Sequence, residues 1–486
     1  MSTTATGYQA FIGLEIHIQL QTQSKIFCGC RAAYGDEPNT NVCPVCMGYP
    51  GVLPALNEHA MELSYVVAKA LNCRLSDICA FDRKNYFYPD LPKNYQISQF
   101  ASPLGTDGWI EFEFNGAIRR VRIKECHLEE DAGKMIHAGD MSLLDFNRTG
   151  TPLLEIVTEP DLSMGEEAEA LLHQLRRTVR YLGVCDGNMD EGSMRCDANV
   201  SVNLEGRGLG NKVEVKNLNS SKFVRKALNH EIERQQGVLQ SGDMVTVETR
   251  LWNENRDVTL PMRTKEAAND YRYFPEPDLP PFRTNDAFLD RVTRRLVELP
   301  LERRTRFIEQ YKLTAVHAEI ITEERSGADF FETAVTLGAD AQAVASWYIS
   351  DIKKQLNRLS IDIADAALLP EDLVDLLARI ADRQISGKIG KDVLARVFSG
   401  EGNPGKIISD LGLQQITDST QLLSIIDSVL QENPQVYQGL ADGETKPIGF
   451  VIGRVMQVTK GMADPELVQQ LIRERLPEIS TAGKNV

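Results

Sequence analysis

No apolar run in this chain approaches the ~18 residues that a bilayer span requires, so no membrane association is expected. The opening residues, Met1-Ser-Thr-Thr-Ala-Thr-Gly-Tyr8, lack the basic flank and apolar centre of a secretory signal. No arginine precedes Arg31, which disfavours a transit peptide, and a cytoplasmic protein is the expectation. A phosphate cradle is missing as well. Gly400-Glu-Gly-Asn-Pro-Gly-Lys-Ile407 fits Gly-x-x-x-x-Gly-Lys, but Ile stands where Ser or Thr should hold Mg²⁺. There is no Gly-x-Ser-x-Gly elbow and no Ser/Gly-rich run to supply an amidase nucleophile. A net positive charge is also lacking. The formal net charge is -16, so any contact with nucleic acid must rest on local basic patches.

With 486 residues, two to four domains are expected at ~100–200 residues each. The 42% hydrophobic and 25% charged content is that of an ordinary globular protein. Phe11-Ile-Gly-Leu-Glu-Ile-His-Ile-Gln-Leu20 alternates apolar and polar residues near its middle and predicts a strand. Ile110–Phe114 and Arg119–Ile123 flank Asn115-Gly116, a hairpin signal. Leu171, Leu172, Leu175, Val179 and Leu182 recur at helical spacing, whereas Ala198–Leu204 and Val213–Val215 alternate again. The proline-dense stretch Phe274–Phe282 reads as a boundary, and beyond it apolar residues share helical faces, as in Leu373, Leu376, Leu377 and Ile380. The expectation is an α+β chain: a mixed, largely antiparallel-sheet domain over 1–282, an all-α domain over 283–400 and a small helical tail over 401–486.

Cys28-Gly-Cys30 and Cys43-Pro-Val-Cys46 stand within one short stretch. Two close thiolate pairs on two loops suit a tetrahedral, structural Zn²⁺; the plainer reading is a set of buried thiols. Glu15 and His17 share one face of their predicted strand. Between Glu125 and Glu169 there are twelve acidic residues and two basic ones, which attracts cations. Glu155 interrupts the apolar run Leu153-Leu-Glu-Ile-Val157, and a carboxylate there is costly unless paired or metal-bound. Glu15, Glu129 or Glu130, and Glu155 suit the oxygen-ligand preference of Mg²⁺, with His17 binding directly or orienting a ligated water. Taken singly, each is a solvated charge or a satisfied histidine.

The best basic patch runs from Arg207 to Lys226, with six basic residues and one acidic. Its candidates for phosphate contact are Lys212, Lys216, Lys222, Arg225 and Lys226. Lys446, Arg454 and Lys460 lie on Gly-containing helical sequence near the C-terminus, with Arg454 and Lys460 as further candidates. Aromatics beside cations in Asp82–Asp90 and Asp270–Pro275 could stack on bases or form the edge of a core.

Several stretches, in this order, resemble the B subunit family of the aspartyl/glutamyl-tRNA amidotransferases. They are Ile12-Gly-Leu-Glu-Ile-His17, Phe81-Asp-Arg-Lys-Asn-Tyr-Phe-Tyr-Pro-Asp90, Tyr95-Gln-Ile-Ser-Gln99, His127-Leu-Glu-Glu-Asp-Ala-Gly-Lys134, Asn147-Arg-Thr-Gly-Thr-Pro152 with Glu155, Gly192-Ser-Met-Arg-Cys-Asp-Ala-Asn199, Lys216-Asn-Leu-Asn219 and Asp270-Tyr-Arg-Tyr-Phe-Pro-Glu-Pro-Asp278. The resemblance implies a cradle domain, a helical domain and a tail that contacts tRNA. It implies an ATP-dependent ligase that works with an amidase (A) subunit and a small C subunit. The amidase releases ammonia from glutamine for amidation of Glu-tRNA(Gln) or Asp-tRNA(Asn). Carried over, Glu15, His17, Glu129, Glu130 and Glu155 surround Mg²⁺ and serve catalysis. On chemical grounds Lys84 or Arg83 is a candidate to contact phosphate or line the ammonia path. All four zinc cysteines are present. Two other readings compete: a zinc-containing tRNA-binding scaffold whose partners do the catalysis, and a stand-alone metal-dependent hydrolase.

Overall fold

The computed structural model describes residues 7–264, 271–413, 416, 418–442, 444–459 and 461–482. Lys460, one of the expected tRNA contacts, and Asp270 lie outside the described residues. The chain divides into two compact units, Met1–Arg303 and Arg304–Val486. The described residues include no helix long and apolar enough to cross a membrane.

The first unit is built on a 12-stranded sheet. Its main strands are β1 (Tyr8–Gln19), β2 (Asp82–Asn85), β3 (Tyr95–Ser98), β4 (Gly105–Phe114), β5 (Ala117–Glu130), β6 (Pro152–Thr158), β7 (Met194–Leu204), β8 (Val213–Leu218), β9 (Glu248–Asn253), β10 (Val258–Thr264) and β11 (Phe274–Pro275). They run in the order β10-β9-β8-β7-β1-β6-β5-β3-β2-β11, with β4 also paired to β5. Every main-strand pair is antiparallel except β8 with β9. The β4–β5 turn is Asn115-Gly116, both at positive φ (52° and 74°), as a two-residue hairpin turn of this hand requires.

Alternation gives the central strands two unlike faces. Ile16 and Ile18 of β1, Leu154 and Ile156 of β6, and Cys126 and Leu128 of β5 point into one core and are all buried. Helices α1 (Glu58–Ala70), α2 (Gly165–Tyr181) and α3 (Ser221–Gln240) contribute to the same core. The opposite face carries Glu15, His17, Gln19, His127, Glu129, Glu155, Arg195, Asp197 and Asn199 at the alternate positions.

The helix Asp286–Arg295 packs on α1 through Phe288 and Val292. Arg291 and Arg295 both reach the buried Glu62 of α1. The first unit therefore extends past residue 282 to Arg303. The second unit is helical apart from an isolated bridge between Ile416 and Ala463. It holds two separate apolar cores, Phe307 to Ile408 and Leu422 to Ile472. Pro370 opens a helix over Pro370–Ala381, where its missing N–H costs nothing. The Walker-like Gly400–Ile407 segment follows the helix Gly387–Phe398 and not a strand, so it has no phosphate-loop context.

Gly108 of β4 tests how tightly the sheet meets the turn after α1. A Cβ there would lie 2.5 Å from Cys73 Sγ and 2.6 Å from the Leu71 carbonyl oxygen. Backbone must move to admit it, so Gly108→Ala is expected to destabilise by about 1–3 kcal/mol in a denaturant titration.

Candidate functional site

Three strands meet in register to make the polar centre. His17 of β1 lies opposite Glu155 of β6, and Glu155 lies opposite His127 of β5. On the other side of β1, Arg195 of β7 is opposite His17. Glu129 stands two residues after His127 and therefore on the same face. His17 Nε2 is 3.4 Å from Glu155 Oε2 and 3.5 Å from Glu129 Oε1. His127 Nε2 is 2.9 Å from that same Glu155 oxygen. One ligand atom from each of His17, Glu129 and Glu155 lies within 4.8 Å of the others, a spacing that could hold a metal ion.

The charges explain each other. Burial alone would lower the His17 pKa, but the Glu155 hydrogen bond and the charges of Glu155 and Glu129 lift it to about 8. His127 is raised for the same reasons. Glu129 is pushed up, first by burial and then by Glu155, against the pull of His17 and His127. Burial also penalises charge on Glu155, yet hydrogen bonds from His127 and His17 hold it far below the usual carboxylate range. The cluster thus stabilises positive charge between two carboxylates. Two carboxylate oxygens fit a hard divalent cation that keeps water in its remaining positions. Imidazole prefers softer ions, so His17 fits better as a partner of a metal-bound water.

Not every expected site residue joins this cluster. Glu15 shares the face, but its Oε1 accepts from Asn199 Nδ2 at 2.7 Å and it lies outside the three-residue group. Glu130 follows Glu129 and so points to the opposite side. There it accepts from the Ile97 N–H at 2.9 Å and pairs with the Lys93 ammonium. Arg83 is held by Glu276 at 2.6 Å and 2.9 Å and by Asp278 at 2.9 Å. Lys84 lies against aromatic rings, 5.0 Å from the Tyr271 centroid and 5.8 Å from that of Tyr86, and its charge reaches Glu129.

Sequence reasoning missed Asp131, Arg195 and Gln19. Asp131 is buried, with Oδ2 2.6 Å from Arg195 NH2, 2.9 Å from Gln19 Nε2 and 3.6 Å from Arg148 Nε. Burial would raise its carboxyl, but the charges of Arg195 and Arg148 hold it below the usual range. The available signal was strand parity: Arg195, Asp197 and Asn199 alternate with buried neighbours as Glu15 and His17 do.

The four cysteines do converge. All four sulfurs lie within 4.8 Å of one another, and Cys43 Sγ and Cys46 Sγ are 3.9 Å apart. Zn–S bonds of ~2.3 Å give a tetrahedron with sulfur–sulfur edges of ~3.8 Å, so the cluster could hold a structural zinc. The Cys43 N–H points at Cys46 Sγ, 3.2 Å away, as donors to a metal thiolate do.

The basic patch is less positive than its sequence. Lys216 Nζ lies 2.5 Å from Asp197 and 2.9 Å from Glu214, Arg225 lies 2.7 Å from Glu169, and Lys226 lies 3.0 Å from Asp257. Lys212 and Lys222 are exposed. Arg454 is half-buried and donates to Gln457 at 2.6 Å.

Asp131→Asn is expected to cost about 2 kcal/mol in a chemical melt. That is below the ~3–5 of a fully buried pair, because Arg195 retains solvent contact.

Comparison with known proteins gives a consistent result. The GatB/GatE catalytic domain matches residues 10–290 and the GatB domain matches residues 329–476. The B subunit of the aspartyl/glutamyl-tRNA(Asn/Gln) amidotransferase of Moorella thermoacetica is 48% identical over 474 residues, 96% of this chain and 100% of that protein. The protein of the same name from Carboxydothermus hydrogenoformans is 46% identical over 478 residues, covering 97% of this chain and 99% of its own length. That of Thermodesulfovibrio yellowstonii is 47% identical over 473 residues, 97% of this chain and 100% of its own. Identity of this extent along both compact units, together with the carboxylate–histidine centre, means that the chain belongs to the B subunit family of the aspartyl/glutamyl-tRNA(Asn/Gln) amidotransferases.

Proposed function

We propose that the chain uses ATP to activate the side-chain carboxylate of Glu carried by tRNA(Gln), or Asp carried by tRNA(Asn), for amidation by ammonia. The observation that carries this reading is the meeting of His17, Glu129 and Glu155 on one sheet face. The name that the relatives bear supports the substrate class.

A carboxylate is a poor electrophile. Transfer of the terminal phosphoryl group of ATP to one of its oxygens creates a leaving group. Ammonia then adds to the acyl carbon, the C–O bond to phosphate breaks, and a proton leaves the nitrogen. Magnesium, when bound, neutralises phosphate charge at the transfer step. Glu129 and Glu155 would each offer it one oxygen. His17 would orient a water bound to it, and His127 would keep Glu155 ionised and aimed. Glu15, along the same face, is suited to a substrate or water contact. Lys84, sensed by Glu129, is suited to offset phosphate charge beside the aromatic rings. Glu130 fits a supporting role through Lys93 better than a metal role.

Ammonia would come from glutamine hydrolysed by an amidase subunit, in a heterotrimer with a small C subunit. The absence of an amidase-type nucleophile motif in this chain agrees with that division of labour. We assign the first unit, which ends at Arg303 and not at 282, to activation, the helices around the Phe307–Ile408 core to a helical domain and those around the Leu422–Ile472 core to a tRNA-contacting tail, in the cytoplasm. The exposed Lys212 and Lys222 are the strongest candidates for tRNA phosphate contact. Lys216, Arg225 and Lys226 would have to exchange acidic partners, and Arg454 and Lys460 complete the set.

In the reconstituted three-subunit complex, Glu155→Gln is expected to lower ATP-dependent amidation of Glu-tRNA at least ~100-fold, about 2.7 kcal/mol. Glutaminase activity should persist. Amidation at the wild-type rate would sink the assignment. Glu130→Gln should instead lose about 3–5 kcal/mol of folding stability by stranding the buried Lys93 ammonium, measurable by denaturation of the isolated chain.

A further inference from the structure

Lys25 is the one lysine among the described residues with no exposed surface at all. Its ammonium lies 2.6 Å from the Asn41 carbonyl oxygen, 3.3 Å from the Phe146 carbonyl oxygen and 3.7 Å from Cys46 Sγ. It pairs with no carboxylate among the described residues. The other deeply buried lysine, Lys93, has Glu130 as its counter-ion. Burying an ammonium among neutral groups costs several kcal/mol, and such charges are found paired or beside metal centres. Carbonyl dipoles satisfy its donors but do not cancel its charge.

The nearest source of negative charge is the cysteine cluster. Four thiolates around one Zn²⁺ leave the centre with a net charge of two negatives. Cys28, Cys30 and Cys43 are half-exposed, but the Cys46 corner of the centre is buried, and it is this corner that faces the Lys25 ammonium. We infer that Lys25 is the counter-ion of the four-cysteine centre: its buried ammonium is tolerated because the negative centre stands beside it, and it offsets that charge at the buried Cys46 corner. Lys25 acts as a positioning residue. Its carbonyl contacts also fasten the knuckle at Asn41 to Phe146, and the adjoining Asn147 Oδ1 accepts from the Asn41 N–H at 2.8 Å. That segment leads directly into β6 and Glu155.

This inference rests on the zinc reading of the cluster, so zinc content of the purified wild-type chain is measured first. Less than stoichiometric zinc would overturn that reading itself. With zinc present, its transfer to a colorimetric chelator is timed for wild type, Lys25→Gln, Lys25→Met and Lys25→Arg. Lys25→Gln keeps two N–H donors on a side chain one atom shorter and removes the charge, while Lys25→Met, of the same length as Gln, removes both. Both neutral variants are expected to release zinc on the order of 10-fold faster, and Lys25→Arg at close to the wild-type rate. Release from Lys25→Gln at the wild-type rate would overturn the counter-ion role. A measurement on wild type alone covers the case in which the neutral variants fail to fold. Amine acylation read by mass spectrometry is expected to leave Lys25 unmodified in the zinc-loaded chain and to modify it once zinc is stripped. Equal protection in both states of the folded chain would overturn the inference.

Discussion

Two carboxylates cannot share a buried space unless positive charge stands between them, and the organisation of the first unit follows from that constraint. Glu129 and Glu155 are brought together by strand pairing, with His17 and His127 bonded between and beside them. The two imidazoles hold their protons more tightly than free histidine because the acids are there. A divalent cation would answer the same need more fully. The aliphatic core beneath the sheet keeps these groups from spreading apart, since each polar side chain alternates with one buried under α1, α2 or α3.

A second polar centre sits beyond the first and obeys the same rule with different groups. Cys46 of the four-cysteine cluster lies beside Lys25, and Asp131 gathers Arg195, Arg148 and Gln19. Both lie beside the stretch from Asp145 to Thr151. Arg148 donates to the carbonyl oxygens of Ala132 and Gly133, and the Gly150 N–H donates to that of Asp131. Stitches from the knuckle and from the end of β5 thus fix the approach to β6 before Glu155 is reached. The geometry of the candidate site is held by hydrogen bonds to backbone as much as by the charged groups themselves.

The sequence made the local pieces legible and left their meeting unread. Alternation marked β1, and Asn115-Gly116 marked the β4–β5 hairpin, because both signals are local and physical. The cysteine spacing predicted a cluster that the fold assembles. His17, Glu129 and Glu155 were candidates from their setting and from family resemblance. The split between Glu129 and Glu130 follows from parity within a strand whose phase the local sequence did not make plain. Asp131, Lys25 and His127 escaped because their roles depend on partners far away in sequence. The basic stretch from Arg207 to Lys226 misled in the opposite sense: Glu169, Asp197 and Asp257, which neutralise it, lie outside it or on other strands.

Because the centre is a rung across β7, β1, β6 and β5, it behaves like a reading frame. Substitution at one position changes one side chain. Loss or gain of one residue within a paired strand inverts the facing of everything downstream until the next turn, sending carboxylates into hydrocarbon and isoleucines into water. The sheet already contains three such slips, between Val157 and Thr158, between Cys196 and Ala198 and, out at the β9–β10 pair, between Thr249 and Arg250. The first follows Glu155, and the second faces β8, leaving the β1–β7 register intact. A change of length is therefore far more costly within the β7–β1–β6–β5 rung than in the turns that join its strands, whereas a change of residue type there is a local event.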